Sequence, residues 1–244
     1  MTDDTESQQP RDSVRGRLNR LAAGFRSRGY YGTLRRLHSA LKPGTYLEIG
    51  IRKGDSLALA TTAAVAIGID PTPMLPHPAA PNAEIFAMTS DDFFATCDVR
   101  EVLGGRDLDL AFIDGMHLFE YVIRDFANVE RVSTHDTVVV LHDCLPIDAP
   151  SAARDRTTAL WTGDVWKAVL VLRRYRPDLK LTVIDAPPSG LVIVRGLDPE
   201  SRVLENSAEA IVSEYTTLGF DHWERHRGEV LALVADLDTA LAGL

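Results

Sequence analysis

Cysteine is nearly absent from this chain, with Cys97 and Cys144 the only two in 244 residues. Two thiols give neither a disulfide framework nor a zinc-binding spacing, which points to a reducing compartment. Long apolar runs are also missing. The longest have the length of core strands, far below the ~20 residues a membrane span needs. The N-terminus, Met-Thr-Asp-Asp-Thr-Glu-Ser-Gln-Gln-Pro, lacks the basic-then-apolar pattern of a secretory signal. Positive charge is in deficit, with 26 Lys and Arg against 35 Asp and Glu and a net charge of −9. That balance argues against a nucleic-acid partner, which is usually met by a basic face. The expectation is a cytoplasmic protein without a membrane span. Its 45% hydrophobic and 25% charged residues are ordinary for a chain with one sizeable core.

Residues 1–12 are polar and read as a disordered tail. Residues 13–244 read as a single domain with its core at about 45–196. Leu18, Leu21, Phe25, Tyr30, Leu34, Leu37 and Leu41 have helical spacing, broken around Gly29 to Gly32. This predicts two short helices with Arg-rich outer faces, either solvated or touching an anionic surface. From Thr45 strands alternate with helices, the pattern of an α/β fold with a largely parallel sheet. Strands are expected at 46–49, 65–69, 84–88, 108–113, 137–141, 181–184 and 191–194. Helices are expected at 56–64, 90–96, 118–132 and 164–175, with Ser90 or Asp91 near an N-cap. The proline-rich segment 71–81 must be a surface loop, since proline lacks the backbone donor. The connection 145–163 is long enough to suggest a functional role. After Asp198 the tail reads as helical, with Leu231, Val234, Leu237 and Leu241 on one face that covers the core or meets a second copy.

Three strand ends carry the candidate chemistry. The first leads into Glu48-Ile-Gly50-Ile-Arg-Lys-Gly54-Asp-Ser56, a glycine turn where a ligand can approach the backbone. Arg52 stands where a G-x-G-x-x-G motif has its middle glycine, which weakens a nicotinamide reading. Asp70 follows about 20 residues later, where a ribose hydroxyl pair is expected. The bland alternative is a turn that packs helix on sheet, with Asp70 capping a loop. The other two ends are Phe112-Ile-Asp114-Gly-Met-His117 and Val140-Leu-His142-Asp143-Cys144. Ligands collect outside such strand ends in open α/β sheets.

Together with Gly68-Ile-Asp-Pro71 and Thr89-Ser-Asp-Asp-Phe-Phe94, these motifs resemble those of class I S-adenosylmethionine-dependent methyltransferases. Within that class the chain looks most like metal-dependent sugar O-methyltransferases of macrolide and polysaccharide pathways, and like the cephalosporin-hydroxylase-like branch. The resemblance spans about residues 45–196. It implies a Rossmann-like seven-stranded, mostly parallel sheet with helices on both faces, the last strand antiparallel, and helical N- and C-terminal extensions. It also implies that Glu48, Gly50 and Gly54, with Ser56 beside them, hold the methionine end of the cofactor. Asp70 would take the ribose, Ser90 and Asp91 the adenine side, and Asp114 would border the same site.

Asp114, His142 and Asp143 form the candidate metal site. Mg²⁺ prefers hard oxygen ligands, and the resembling sugar enzymes commonly carry a carboxylate at the position of His142. An imidazole there shifts preference toward Mn²⁺, Fe²⁺ or Zn²⁺. The bland reading makes Asp143 a loop cap and His142 a packed core residue. His117 falls where the sugar enzymes place a general base, and an imidazole can take a proton from a hydroxyl near neutral pH. Arg154, Arg156, Trp161, Asp164 and Trp166 are candidates for an acceptor site, because tryptophan offers a flat face to a sugar ring. The expected partner is a small-molecule or oligosaccharide acceptor, with a homodimer open. Rival readings are a non-sugar acceptor, a hydroxylase-like relative, and a non-catalytic cofactor-binding protein.

Overall fold

The computed structural model describes residues 29–76 and 80–243. The expected tail at 1–12, the first N-terminal helix and part of the proline-rich loop lie outside the described residues. Seven strands form one sheet: β1 (Thr45–Ile49), β2 (Val65–Ile69), β3 (Ala83–Phe86), β4 (Leu108–Ile113), β5 (Ser133–His142), β6 (Lys180–Ile184) and β7 (Leu191–Arg195). Their order is β3-β2-β1-β4-β5-β7-β6. The ladders β3-β2-β1-β4-β5 are parallel, and β7 runs antiparallel to both its neighbours. β1 is buried throughout, β4 everywhere but Asp109 and β5 from Thr137 to His142, because both faces of this sheet are covered.

One face is packed by α4 (Phe119–Arg131) and α5 (Trp166–Tyr175), reached after α2 (Ser90–Thr96) and α3 (Val99–Val102). In α4 the buried Phe119, Val122, Ile123, Phe126 and Val129 recur at helical spacing and fall on one stripe. The opposite face is covered by α1 (Tyr30–Leu41), which buries Leu34 and Leu37 against Tyr46 and Phe112. Four C-terminal helices follow β7: α6 (Val203–Asn206), α7 (Ala208–Tyr215), α8 (Phe220–Leu231) and α9 (Leu237–Ala242). No described helix is long and apolar enough to cross a membrane.

Register brings the chemistry to one edge. Ile49 pairs with Ile113 and Ile113 with Leu141, so the residues just beyond β1, β4 and β5 emerge side by side. The chain winds outward from β1 to β3 and then returns to β4, so the β1/β4 boundary is the topological switch point where ligands bind.

Several sequence expectations need correction. The helix expected at 56–64 is a single 3₁₀ turn, Leu57–Leu59. The Ala64 amide donates to the Gly44 carbonyl at 2.7 Å and the Thr62 hydroxyl to that of Pro43 at 3.5 Å, so tertiary bonds draw the chain out of helix. Gly32 does not break a helix, since α1 starts at Tyr30 and runs through it. The N-cap of α2 is Thr89, whose hydroxyl accepts from the Asp92 amide, and Ser90 and Asp91 follow it in the first turn, near the cap as expected. In the tail, Leu231 and Val234 are exposed while Leu237 and Leu241 pack on the α1 side, so these four share no single face.

Candidate active site

A cleft of about 510 Å³ opens over the ends of β1, β4 and β5, a size that suits a small ligand. A smaller apolar hollow between α4 and α6–α7 contains none of the strand-end residues. The cleft is lined by Gly50, Ser56, Asp70, Asp114, His117, His142 and Asp143, all singled out from the sequence. Glu48, Gly54, Ser90 and Asp91 are not among its lining residues.

The glycine turn is built by close packing. Gly50 has φ +87, and a Cβ there would lie 2.1 Å from the Asp114 carbonyl oxygen. Gly50 is therefore what lets the ends of β1 and β4 touch. Gly54 also has positive φ, and a Cβ there would press on Leu75. Glu48 is fully buried and accepts from the Tyr46 hydroxyl at 2.8 Å and from the Ser56 hydroxyl. Burial pushes its carboxyl up to about 8, against the two hydroxyls that favour the charged form. Asp70 accepts from the Arg52 and Thr72 amides, both at 2.8 Å, and so closes the turn onto β2. Each carboxylate oxygen keeps acceptor capacity beyond those bonds.

At the β4 and β5 ends, one donor atom each from Asp114, His117 and Asp143 lie within 4.8 Å of one another. His117 Nδ1 is 2.6 Å from an Asp143 oxygen and Nε2 is 3.8 Å from an Asp114 oxygen. The Asp143 contact is an ion pair rather than an aligned hydrogen bond, since Nδ1 has no hydrogen-bond partner of good geometry. His117 (φ 54) and Asp143 (φ 60) both adopt left-handed backbone, as does Arg52 across the cleft. Non-glycine residues hold that conformation only when their surroundings impose it, and functional sites are where it concentrates. Behind His117 is Gly163, where a Cβ would fall 1.8 Å from the His117 carbonyl oxygen. The Ser189 hydroxyl, from the turn between β6 and β7, donates to Asp143.

His142 stands outside the trio. Its Nδ1 is 2.9 Å from Asp114, its ring lies against Tyr30 with centroids 4.0 Å apart, and it is nearly sealed from solvent. Burial alone would lower its pKa, but the Asp114 and Asp143 charges outweigh that and push it to about 9. For His117 the same balance of burial and carboxylates also leaves the pKa raised. Asp114, His117 and Asp143 fit a divalent cation by donor chemistry: two hard oxygens and one imidazole, gathered in the wall of the cleft.

On the adenine side suggested by the resemblance, Asp91 pairs with Arg124 at 2.7 Å, and Arg124 also lies over the Tyr121 ring. Ser90 bonds the buried Asp125, whose carboxyl burial pushes up to about 7. The loop between β5 and α5 splits in role. Trp161 and Arg156 line the cleft, with Trp161 stacked on His117 at 5.1 Å. Trp166 is core, and Arg154 and Asp164 belong to an ion network with Glu120 and Lys167. Tyr30 and Tyr31 also line the cleft, and sequence reasoning missed them. Tyr30 occurs there only as an apolar helix position, and nothing local marks a ring that will cover His142 at the end of β5, far along the chain.

Comparisons with known proteins agree with this architecture. Residues 47–144 match the family model described as a methyltransferase domain. The cofactor-bound Rv0187 protein from MTB superposes with a TM-score of 0.51 at 18% identity, covering 78% of this chain and 99% of that one. The O-methyltransferase TomG from Streptomyces achromogenes, involved in tomaymycin synthesis and in complex with SAM, gives 0.50 at 17% identity, covering 68% and 78%. The SAH-bound methyltransferase PaMTH1 from Podospora anserina gives 0.52 at 13% identity, covering 79% and 100%. At these identities the likeness shows the fold. No curated protein matches the sequence. In sequence the match runs from Leu47 through Cys144, the stretch from β1 to the residues just beyond β5.

Proposed function

We propose that this protein is an S-adenosylmethionine-dependent, divalent-metal-assisted O-methyltransferase acting on a ring hydroxyl of a sugar or glycoside. The observation that carries the reading is the gathering of Asp114, His117 and Asp143 at one cleft with the Gly50–Asp70 turn. Structures of the same fold hold SAM or its demethylated product in TomG and PaMTH1, which supports the choice of methyl donor. When bound, that donor supplies an electrophilic methyl, and transfer to oxygen is an in-line displacement in which orientation carries much of the rate.

In this reading Gly50 and Ser56 border the methionine end, Gly54 shapes the turn behind them, Glu48 holds the Ser56 hydroxyl in place, and Asp70 receives the ribose hydroxyls. Ser90 and Asp91 stand on the adenine side. Asp114 and Asp143 would hold a divalent cation such as Mg²⁺, which lowers the pKa of a hydroxyl it binds. His117 accepts the acceptor's proton, and its orientation is set by Asp143 on one side and Trp161 on the other. His142 keeps Asp114 aimed from below as an imidazolium partner. Trp161 and the polar lining are the support for a sugar ring. TomG, a structure of similar fold named for tomaymycin synthesis, keeps a non-sugar acceptor as the second reading.

Calorimetry with S-adenosylhomocysteine tests the cofactor, and a labelled-methyl screen over glycosides with and without EDTA tests the reaction. The reading predicts binding, and transfer that EDTA abolishes. Absence of cofactor binding would end it, and transfer unchanged by EDTA would remove the metal. His117→Ala separates two roles for the imidazole. As base, its loss lowers kcat by ~10²-fold or more while Mn²⁺ binding persists. Loss of Mn²⁺ affinity would make it a ligand instead.

A further inference from the structure

Most arginines among the described residues have a carboxylate partner, such as Arg124 with Asp91, Arg131 with Glu205, Arg154 with Glu120 and Asp164, and Arg176 with Glu130. Among the cations without one, three share the cleft. Arg52, Lys53 and Arg156 all line it, and among the described residues none has a carboxylate oxygen within ion-pair distance. The cleft also carries Asp55, Asp70, Asp114 and Asp143, so these three exposed cations are solvated rather than paired and are placed to meet an anionic group on an incoming ligand.

The three divide by position. Arg52 and Lys53 belong to the glycine turn after β1, where the Arg52 amide is held by Asp70, on the cofactor side. Arg156 comes from the loop between β5 and α5 and approaches the Trp161 ring at 6.0 Å. Trp161 is itself fixed. Its indole N–H donates to the Ala153 carbonyl at 2.6 Å, and its ring stacks on His117. One indole therefore positions both the imidazole and the guanidinium. Around them, Met116 and Leu160 expose apolar surface to the cleft, and Tyr31 adds a third flat or apolar wall.

We propose that Arg156 is a specificity residue that binds a carboxylate on the acceptor, so that the substrate is a hydroxylated ring that also bears an acid. This deepens the reading above and rests on it. A guanidinium suits a carboxylate because its planar fork donates two parallel hydrogen bonds. Two sources share this chemistry, a sugar acid and a hydroxylated aromatic acid.

The test titrates matched probe pairs into the protein saturated with S-adenosylhomocysteine, by calorimetry or ligand-observed NMR. One pair is methyl glucuronide and methyl glucoside; the other is 4-hydroxybenzoate and 4-hydroxybenzyl alcohol. The proposal expects the acid of one pair to bind about fivefold or more tighter than its neutral partner, an advantage that shrinks with added salt. Arg156→Ala should abolish that advantage, leaving the neutral probe and S-adenosylhomocysteine bound as before, and Arg156→Lys should restore part of it. Which pair responds tells sugar from aromatic acid. Equal binding of acid and neutral probes, or no binding of any probe, overturns the proposal. A loss of S-adenosylhomocysteine affinity in Arg156→Ala, with acid preference kept, also overturns it, because the cation would then serve the cofactor. Failure of S-adenosylhomocysteine to bind the wild-type protein instead sinks the methyltransferase reading, and the acid preference is then read on the protein alone.

Discussion

Glu48 shows how one buried side chain links the site to stability. It keeps its proton to about 8 in the folded chain, whereas an unfolded carboxyl releases it near 4.5. Between those values the folded state binds more protons, so the stability this group contributes is complete below about 4.5 and is lost as pH rises through 8. Glu48→Gln cannot ionise. Its melting temperature is expected to fall less steeply than wild type between pH 5 and 9, a relative gain on the order of a few kcal/mol at the alkaline end. Parallel slopes for the two proteins would show that Glu48 is charged at neutral pH. His38 works in the opposite direction: buried against Tyr46, it is held down to about 4, so its contribution is lost as pH falls from 6.5 toward 4. His142 and Asp125, both raised, lose stability over the same range as Glu48, so the Glu48 effect is read from the difference between variant and wild type rather than from either slope alone.

Among the elements, the loop from Asp143 to Val165 matters most, because it carries Arg156 and Trp161 and closes over His117. Its far end is pinned by Asp164, which is almost wholly buried. One Asp164 oxygen accepts the Phe119 amide at 3.0 Å and so caps α4; the other takes Arg154 at 2.7 Å and the buried Lys167 ammonium at 2.9 Å. Asp164→Ala leaves that ammonium without its partner, so a loss of about 3–5 kcal/mol is expected in denaturant unfolding. A loss below about 1 kcal/mol would mean that water reaches Lys167 and that the loop is not anchored there. Gly163→Ala should act locally. Its Cβ would displace the His117 backbone, so turnover should fall at least tenfold while S-adenosylhomocysteine still binds, because the Gly50–Asp70 turn is untouched. Equal turnover in the variant would show that His117 does not depend on this contact. Legibility also divides at this scale. The strand ends could be read because apolar runs closing on Asp70, Asp114 and Asp143 are local patterns. The helix at 56–64 was misjudged because hydrogen bonds to Pro43 and Gly44 decide that segment. Arg154, Asp164 and Trp166 looked like acceptor residues because sequence does not reveal which polar groups pair beneath a loop.

For the whole molecule, the question is whether the C-terminal helices are appendages or part of the folding unit. The strand order and the cleft at β1, β4 and β5 were legible from β/α alternation, but the tail was legible only as helical. In the structure, Ile211, Tyr215, Trp223 and Val230 enter the same core cluster as β4, β5, α4 and α5. The segment after α8 pairs with β6, where Val183 donates to Leu233 and accepts from Ala235. This covers the outer edge of the sheet, which would otherwise present unpaired backbone groups. Trp223 lies 5.7 Å from the Trp166 ring, which is itself buried beneath the loop that carries Trp161. Trp223→Ala is therefore expected to lower global stability by about 3–5 kcal/mol. It should also raise amide exchange in α5 and β6 together with α8, because these segments share one core. If exchange rose in α6–α9 alone and β6 kept its protection, the tail would be a separate cooperative unit, and the cleft would stand without it.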